Sequence, residues 1–519
     1  MARVPTCGAR LARRDEGTHW AFVTEEQRRQ AGRPARDSCD AHGLPSGTRR
    51  VHFVGVGGIG MSGIAEMMSC LGYEVSGSDL TASTVTARLR SLGIAVQIGH
   101  DARWVGDAEA VVVSAAVSDD NPEVVEARRR RLPVVRRGAM LAGLARSWST
   151  VAVTGSHGKS TTASMVAVML ADCGLDPSAV IGARVAAFGS NTRVGQGRFF
   201  VVEADESEPS LLELTPQIAV LTNLEEEHLD QYGTFARLRN TILSFANRVR
   251  EAGSVVVCAD DPELTRLRGR IRGRVVTYGL ENPTADVVGD ASEIDAAGSR
   301  CRVRYTRDHR TETVPLTVSV PGRHNLLNAL AAFAVGLEIG LEPARIAAAL
   351  GRFAGVDRRF QFRGVAAGVR VIDDYGHHPT EVAAALTTAR RQPHARLVAV
   401  FQPHRYSRTA RFLDAFARVL AAADVVVVTD IFAAGEMPIP GVTAARLAEA
   451  VRRHTDGAVH QVQTLDEVVS LVADLARSGD LVLMLGAGSI GQVAGRIVEA
   501  LERKTGGAGH LDLPRPATP

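Results

Sequence analysis

Three times along this chain a run of β-branched and aliphatic residues stops on glycines and gives way to an alanine-rich stretch. The first is V-H-F-V-G-V-G-G-I-G-M from Val51, the second V-A-V-T-G-S-H-G-K-S-T-T from Val151, the third L-V-L-M-L-G-A-G-S-I-G from Leu481. Runs that are apolar throughout, rather than alternating, belong to strands covered on both faces, which is the condition of a parallel sheet between helices. The glycines mark a tight strand-to-helix turn. An α/β layered fold follows, and all-β and all-α architectures are excluded.

Further strands are read in A-V-V-V-S from Ala110, F-F-V-V-E-A-D from Phe199, I-A-V-L-T-N from Ile218, V-R-V-I-D-D from Val369, L-V-A-V-F from Leu397 and V-V-V-V-T-D from Val425. A chain of 519 residues exceeds what one core supports, so three domains in series are expected. These are a Rossmann-like N-terminal domain over 49–147, a central P-loop ATPase-type domain with a mostly parallel sheet over 148–354, and a Rossmann-like C-terminal domain over 355–505. Residues 1–48 are Arg-rich without apolar periodicity and are expected to form a disordered extension, as is the tail 506–519. The extension lacks the apolar core of a secretory signal.

Formal net charge is only +3, which offers no broad basic face for nucleic acid. The six cysteines (Cys7, Cys39, Cys70, Cys173, Cys258, Cys301) form no C-x-x-C pair, so neither a zinc site nor a disulfide scaffold is indicated. No apolar run reaches the roughly eighteen residues that span a bilayer. A cytoplasmic protein with no membrane or nucleic-acid partner is expected, acting as a monomer or weak homodimer.

The second glycine turn carries chemistry. It departs from the phosphate-loop pattern G-x-x-x-x-G-K-[ST], whose first glycine would fall at Val153, whereas the nearest glycine is Gly155. The context is nonetheless that of a phosphate loop: a buried strand, a small-residue turn, and a helix whose N-terminus faces the turn. Lys159 can reach β- and γ-phosphates, and the Ser160 hydroxyl can meet Mg²⁺. Two strand ends of the same domain carry Glu203 with Asp205, and His228. Ligands of open α/β sheets sit at such ends, and hard oxygen donors suit Mg²⁺. Read singly, each acidic cluster is a solvated turn; jointly with the loop they mark a nucleotide site.

The first turn matches G-x-G-x-x-G through Gly55, Gly57 and Gly60, with Gly58 between them and Asp79 about twenty residues on. Alone this is the context of a dinucleotide site and would suggest an NAD-dependent oxidoreductase. Its glycines report only the close approach of a pyrophosphate, which UDP-sugars also carry. The third turn (Gly486, Gly488, Gly491) is expected to serve helix–sheet packing. In the last domain D-D-Y-G-H-H-P-T-E and F-Q-P-H-R-Y-S-R-T follow adjacent strands, and their cationic groups suit carboxylate or phosphoryl oxygens.

Taken together, G-V-G-G-I-G-M-S-G-I-A-E, G-S-H-G-K-S-T-T, E-A-D-E-S, E-H-L-D, P-G-R-H-N-L-L-N-A-L-A-A, D-D-Y-G-H-H-P-T-E, F-Q-P-H-R-Y-S-R-T and A-A-G-E-M-P-I-P-G-V resemble the Mur ligases, and among them the alanine-adding members. The resemblance runs from about Arg49 to Lys504. It implies that Gly155, Ser156, His157, Gly158, Lys159, Ser160 and Thr161 wrap the phosphates of ATP. It implies Mg²⁺ held by Ser160, Glu203 and His228, and an adenine-side box of His324, Asn325 and Asn328. Arg359 and Tyr375 match residues near ATP, and His377 one near the reacting centre. His404, Arg405 and Arg408 match residues near substrate and phosphate. The first fingerprint, with Asp79, then holds UDP rather than NAD. Two departures stand out: serine at Ser156 and Ser160 where threonine is frequent, and Glu208 where aspartate is usual.

The implied reaction belongs to peptidoglycan precursor synthesis. The carboxylate of UDP-N-acetylmuramate attacks the γ-phosphate of ATP, and the amine of L-alanine then displaces phosphate from the acyl phosphate. His377 or His378 would accept the amine proton. Rival readings are a ligase that attaches a ready-made tripeptide to the same sugar, a nucleotide-binding module without chemistry, and the NAD-dependent oxidoreductase.

Overall fold

The computed structural model describes residues 11–14, 20–22, 44–114, 116–207, 209–307 and 310–505. The expectations for the rest of 1–43, for the tail 506–519 and for Glu208 lie outside the described residues. Within the N-terminal stretch, β1 (Leu11–Arg14) and β2 (Trp20–Phe22) pair antiparallel. Leu44 and Thr48, inside the expected extension, are buried.

The next sheet comprises β3 (Arg50–Val54), β4 (Glu74–Asp79), β5 (Ala95–Ile98), β6 (Ala110–Val113) and β7 (Val134–Arg136). Its spatial order is β5-β4-β3-β6-β7, all parallel. The order reverses at β3, so the crevice at its carboxyl end opens where the first glycine turn leads into helix α1 (Ile59–Cys70). Helices α2 (Pro122–Arg129) and α3 (Arg137–Ala145) follow β6 and β7, and a further helix, Thr84–Ser91, joins β4 to β5.

The central sheet has ten strands in the order β10-β9-β11-β8-β12-β13-β14-β15-β16-β17. They are β8 (Ser149–Thr154), β9 (Ser178–Val185), β10 (Ser190–Arg193), β11 (Phe199–Glu203), β12 (Ile218–Leu221), β13 (Ser254–Cys258), β14 (Arg274–Gly279), β15 (Val287–Asp295), β16 (Gly298–Arg307) and β17 (Arg310–Val318). From β9 to β15 the pairs are parallel, and β10 joins its edge antiparallel. Val151, Ala152 and Val153 of β8 are fully buried between β11 and β12, and Phe200, Val201 and Val202 of β11 are fully buried between β9 and β8. That burial is why these strands read as unbroken apolar runs. The chain leaves β8 through helix α4 (Lys159–Asp172), whose residues from Ser160 to Leu170 are all buried.

The third sheet, in order β18-β19-β23-β20-β21-β22, uses β18 (Gln361–Ala366), β19 (Val369–Asp374), β20 (Leu397–Phe401), β21 (Val425–Val428), β22 (Ala458–Gln461) and β23 (Leu481–Leu485). Only β18 runs antiparallel. Apolar layers cover both faces: Leu386, Phe416 and Leu447 lie on one side, Val468, Val472 and Ile497 on the other. The elements between strands that matter below are α5 (Arg323–Glu338), α6 (Pro379–Arg390) and α7 (Tyr406–Arg411).

By compactness the chain divides into two units. One holds Met1–Ser292, Cys301–Thr317 and Leu327–Ala354; the other holds Glu293–Arg300, Val318–Leu326 and Gly355–Pro519. Among the described residues, no helix is long and apolar enough to cross a membrane.

Candidate active site

The turn after β8 is short, and the chain braces it from the neighbouring strand. Gly155 has φ +133° and Gly158 φ +79°. A Cβ on Gly155 would collide with Thr222 Oγ1 and lie 2.8 Å from Asn223 O; one on Gly158 would lie 2.6 Å from Asn328 Oδ1. Both positions therefore need glycine for space as well as for backbone freedom. Asn223, just past β12, accepts from Ser156 N through its carbonyl (3.1 Å) and from His157 N through its side chain (2.7 Å). Thr222 Oγ1 and Asn223 Nδ2 donate to His157 O at 2.6 and 3.0 Å. Thr162 Oγ1 donates to Asn328 Oδ1 at 3.1 Å, which places the predicted Asn328 behind the loop.

Lys159 folds over this turn. Its Nζ donates to Gly155 O (2.8 Å), Ser156 O (3.1 Å) and Glu206 Oε1 (2.9 Å). Glu206 is fully buried. Burial alone lowers the lysine's affinity for its proton, but Glu206, Asp205 and Glu203 outweigh it and the pKa is raised. The N-cap of the next short helix is His228, with φ +54° and Nε2 3.3 Å from Glu206 Oε1 and 3.4 Å from Glu227 Oε2. Burial works against its charge; Glu206 and Glu227 prevail and raise its pKa. Asp205 is held below the usual carboxylate range, burial being outweighed by Lys159, Ser207 and Arg137.

Asp205, Glu206 and His228 bring one ligand atom each within 4.8 Å of one another. The predicted ligand Glu203 is directed elsewhere: its Oε2 accepts from Gly182 N at 2.7 Å, on β9. Glu206, not Glu203, is the carboxylate beneath Lys159. It lies within E-A-D-E-S, but Glu203 directly follows the apolar run, and nothing local distinguishes one acid from the next. The paired polar residues Thr222 and Asn223 did carry a signal, because they follow the wholly apolar run I-A-V-L.

In the first domain the fingerprint loop closes on its own acid. Gly57 N donates to Asp79 Oδ2 at 2.8 Å and Thr81 N to Asp79 Oδ1 at 3.3 Å. Gly55, at φ +80°, and Val56 both donate to Ser78 O at 2.9 Å. Gly58 is the N-cap of helix α1, which has no side-chain cap and no acid in its first turn. Arg137 lies against Gly60, where a Cβ would come 2.5 Å from Nη1, and its guanidinium is 3.8 Å from Asp205 Oδ2. Asn191 Nδ2 donates to Ile59 O at 2.7 Å, tying the start of α1 to the central domain.

The third-domain residues converge at the carboxyl ends of β19 and β20. Tyr375 and His377 meet edge to face at 5.4 Å, and His377 and His404 at 5.6 Å. The guanidinium groups of Arg358 and Arg359 lie over the Tyr375 ring, 5.1 and 5.0 Å from its centroid. His377 Nδ1 is 3.1 Å from Glu381 Oε2. His378 caps α6 with Glu381 completing the box. Arg408 Nη1 donates to His404 Nδ1 at 3.1 Å, and Arg405 lies 3.7 Å from Glu436.

In the same unit Asn325 Nδ2 donates to Pro321 O at 2.7 Å. Burial and then Arg359 push the His324 imidazole down to about 4. Burial also raises Asp374 to about 6, against the pull of Arg359 and the amides of Gly376 and Phe360. The third glycine turn is filled from within: Arg358 Nη2 donates to Gly486 O at 2.5 Å, and a Cβ on Gly491 would strike that guanidinium. Packing accounts for those glycines, but against Arg358 and Gln402 rather than between helix and sheet as the sequence suggests.

The decisive comparison is with family profiles. The Mur ligase family catalytic domain matches residues 50–149, the Mur ligase middle domain 153–336, and the Mur ligase glutamate ligase domain 358–488. The chain belongs to the Mur ligase family. This Mur ligase is 49% identical over 455 residues to the UDP-N-acetylmuramate–L-alanine ligase of Anaeromyxobacter dehalogenans, covering 88% of this chain and 98% of that protein. It is 48% identical over 456 residues to the protein of that name from Solibacter usitatus, covering 87% and 95%. Among solved structures it resembles the UDP-N-acetylmuramate-alanine ligase MurC of Thermotoga maritima, with a TM-score of 0.75 and 31% identity over 88% of this chain and 99% of that one. The three-domain α/β architecture read from the sequence is the architecture of this family.

Proposed function

We propose that this Mur ligase joins L-alanine to the carboxylate of UDP-N-acetylmuramate at the expense of ATP, as the relatives' names describe for those proteins. The observation that carries the ATP half of this reading is Lys159, kept charged on a glycine turn at the N-terminus of α4. The backbone of Gly155–Ser160 and the end of α4 would cradle the phosphates, and Lys159 would leave its contacts with Gly155 O and Ser156 O to meet the γ-phosphate.

The donor set fits a magnesium ion. Asp205 and Glu206 offer hard oxygens and His228 completes a compact group, to which the Ser160 hydroxyl would add a donor. When bound, the ion would offset repulsion between the sugar's carboxylate and the triphosphate. Glu203, the ligand implied by family resemblance, would join after release from Gly182 N.

The acyl phosphate formed on the muramoyl carboxylate is then attacked by the neutral amine of alanine, and phosphate departs. His377, set 3.1 Å from Glu381, supplies a proton acceptor whose conjugate acid the carboxylate would stabilise. Arg405 and Arg408 would steady the phosphoryl oxygens. The glycine turn of the first domain, with the uncapped start of α1, would take the diphosphate of UDP.

ADP release should be measured with UDP-N-acetylmuramate crossed against single amino acids and against the tripeptide. Release with L-alanine is expected. Release with the tripeptide alone would make the chain a recycling ligase, and release with neither would end the proposal.

A further inference from the structure

Beyond the ends of β20 and β21 the pairing resumes one residue out of step: Phe401 faces Val428 within the strands, and His404 faces Phe432 beyond them. His404 and Phe432 form an isolated parallel bridge, Phe432 N donates to Pro403 O at 2.8 Å, and Arg405 N donates to Phe432 O at 2.8 Å. The Phe432 ring stacks on the His404 imidazole with centroids 5.5 Å apart and planes 19° from parallel. With the His377–His404 and Tyr375–His377 contacts, this makes a row of four rings from the end of β19 to the end of β21.

The row crosses the turn after β23, because β23 lies between β19 and β20. That turn must keep low beneath the rings. A Cβ on Gly488 would lie 2.6 Å from Phe432 Cγ and 2.7 Å from Gln402 Oε1. The middle glycine of G-A-G-S-I-G is thereby explained by a phenylalanine ring rather than by a nucleotide.

Two features show what the ring and its backbone hold in place. Arg405 has φ +69° and ψ 139°, a conformation glycine adopts easily and arginine does not, and its amide is held by Phe432 O. Arg408 can only donate, so His404 Nδ1 accepts and the imidazole, when neutral, carries its proton on Nε2. The tilt of the His404 ring therefore sets both the direction of that N–H and the place of Arg408. Phe432 is itself 37% exposed, a large apolar group left at the surface beside these polar side chains.

We propose that Phe432 is a positioning residue of the ligase: it fixes the plane of His404 and the strained backbone of Arg405, and so aims His404, Arg405 and Arg408 at the acceptor and its phosphoryl group. The proposal rests on the ligase reading given above. It concerns the acceptor side of the reaction, so ATP binding should not depend on it.

The test uses the full chain with Phe432→Leu, Phe432→Tyr and Gly488→Ala. Leucine keeps the backbone bridge and removes the ring, tyrosine restores the ring, and alanine at Gly488 pushes on the ring from below. Histidine Cε1–H resonances report the stack through the ring current, independently of activity. Phe432→Leu should lose the ring-current shift of His404 and about tenfold in kcat/KM for UDP-N-acetylmuramate and L-alanine. Its KM for ATP and its Tm should stay close to wild type. Phe432→Tyr should recover both signals, and Gly488→Ala should repeat the leucine pattern should that variant prove hard to fold. Wild-type kinetics in Phe432→Leu and Gly488→Ala, or an equal loss in the leucine and tyrosine variants, would overturn the positioning role. A wild-type protein that releases no ADP with these substrates would overturn the ligase reading and this role with it, while the ring-current signal would still report the stack.

Discussion

The cluster around Lys159 and the cluster around Tyr375 both stand at the carboxyl ends of parallel strands, yet different forces hold them. Around Lys159, opposite charges are buried together: Lys159 and His228 are raised and Asp205 is lowered, so each shift favours the charged form through a named partner. Around Tyr375 the tendency is reversed. His324 is pushed down to about 4 and Asp374 up to about 6, so burial moves both toward neutrality. Order there comes from rings, guanidinium stacks and backbone caps. A buried ion pair fails badly when one partner goes, because the other is left unsolvated, whereas a lost ring contact costs about 0.5–1.5 kcal/mol.

The largest effect should come from Lys159→Ala. ADP release should fall by about a thousandfold or more, since a cation is lost from a developing phosphoryl charge. Stability should fall as well, by about 3 kcal/mol, because Glu206 is left buried with only His228 opposite it. Adding Glu206→Gln should recover much of the Tm and none of the turnover. If the single variant keeps more than about a tenth of wild-type ADP release, the charged cluster is structural only.

Gly57→Val probes the first glycine turn against both clusters. A branched side chain there meets Asp79 Oδ2, 2.8 Å from the Cβ position, and must open the loop that Asp79 closes. KM for UDP-N-acetylmuramate should rise about tenfold or more, with ATP affinity unchanged. Titrating each ligand separately checks this; equal weakening of both with a lower Tm would mark Gly57 as a packing glycine.

The contrast in protonation predicts opposite slopes with pH. His324 has a folded pKa of about 4 against the ordinary 6.5, so the unfolded chain binds more protons between these values. Its contribution is fully present above 6.5 and is lost toward pH 4, by up to about 1.4 kcal/mol per pH unit. Asp374, raised from 3.8 to about 6, behaves conversely and contributes stability that is lost as pH rises through that window. Denaturant midpoints of His324→Gln and Asp374→Asn from pH 4 to 6.5 should tilt in opposite directions from wild type. Parallel shifts would mean that neither burial is felt.

The smallest effect belongs to the N-terminus. Removing residues 1–43 should leave ADP release within about twofold. Extending the cut through Thr48 also removes the buried Leu44, and should lower Tm by about 2–4 °C.

Much of this is legible in the sequence. The apolar runs at Val51, Val151 and Leu481 are parallel strands, their glycine turns lead into helices, and Lys159 heads the central one. Those features are local: burial on both faces writes an unbroken apolar run, and a tight turn demands small residues. Resemblance of the motifs likewise named the family. Which carboxylate meets Lys159 was not legible, because Glu203 and Glu206 stand three residues apart in one acidic run and the fold turns one to Gly182 and the other under the lysine. Nor was the brace of the phosphate loop, since Asn223 reaches it only because β12 lies beside β8 in the sheet. The three glycine turns look alike in sequence and end differently: one is braced by Asn223, one closed by Asp79, one filled by Arg358 and roofed by Phe432. Element type follows from periods and turn residues within a few positions and is written locally; the partners of each side chain depend on strand order across hundreds of residues and are set by the folded sheet.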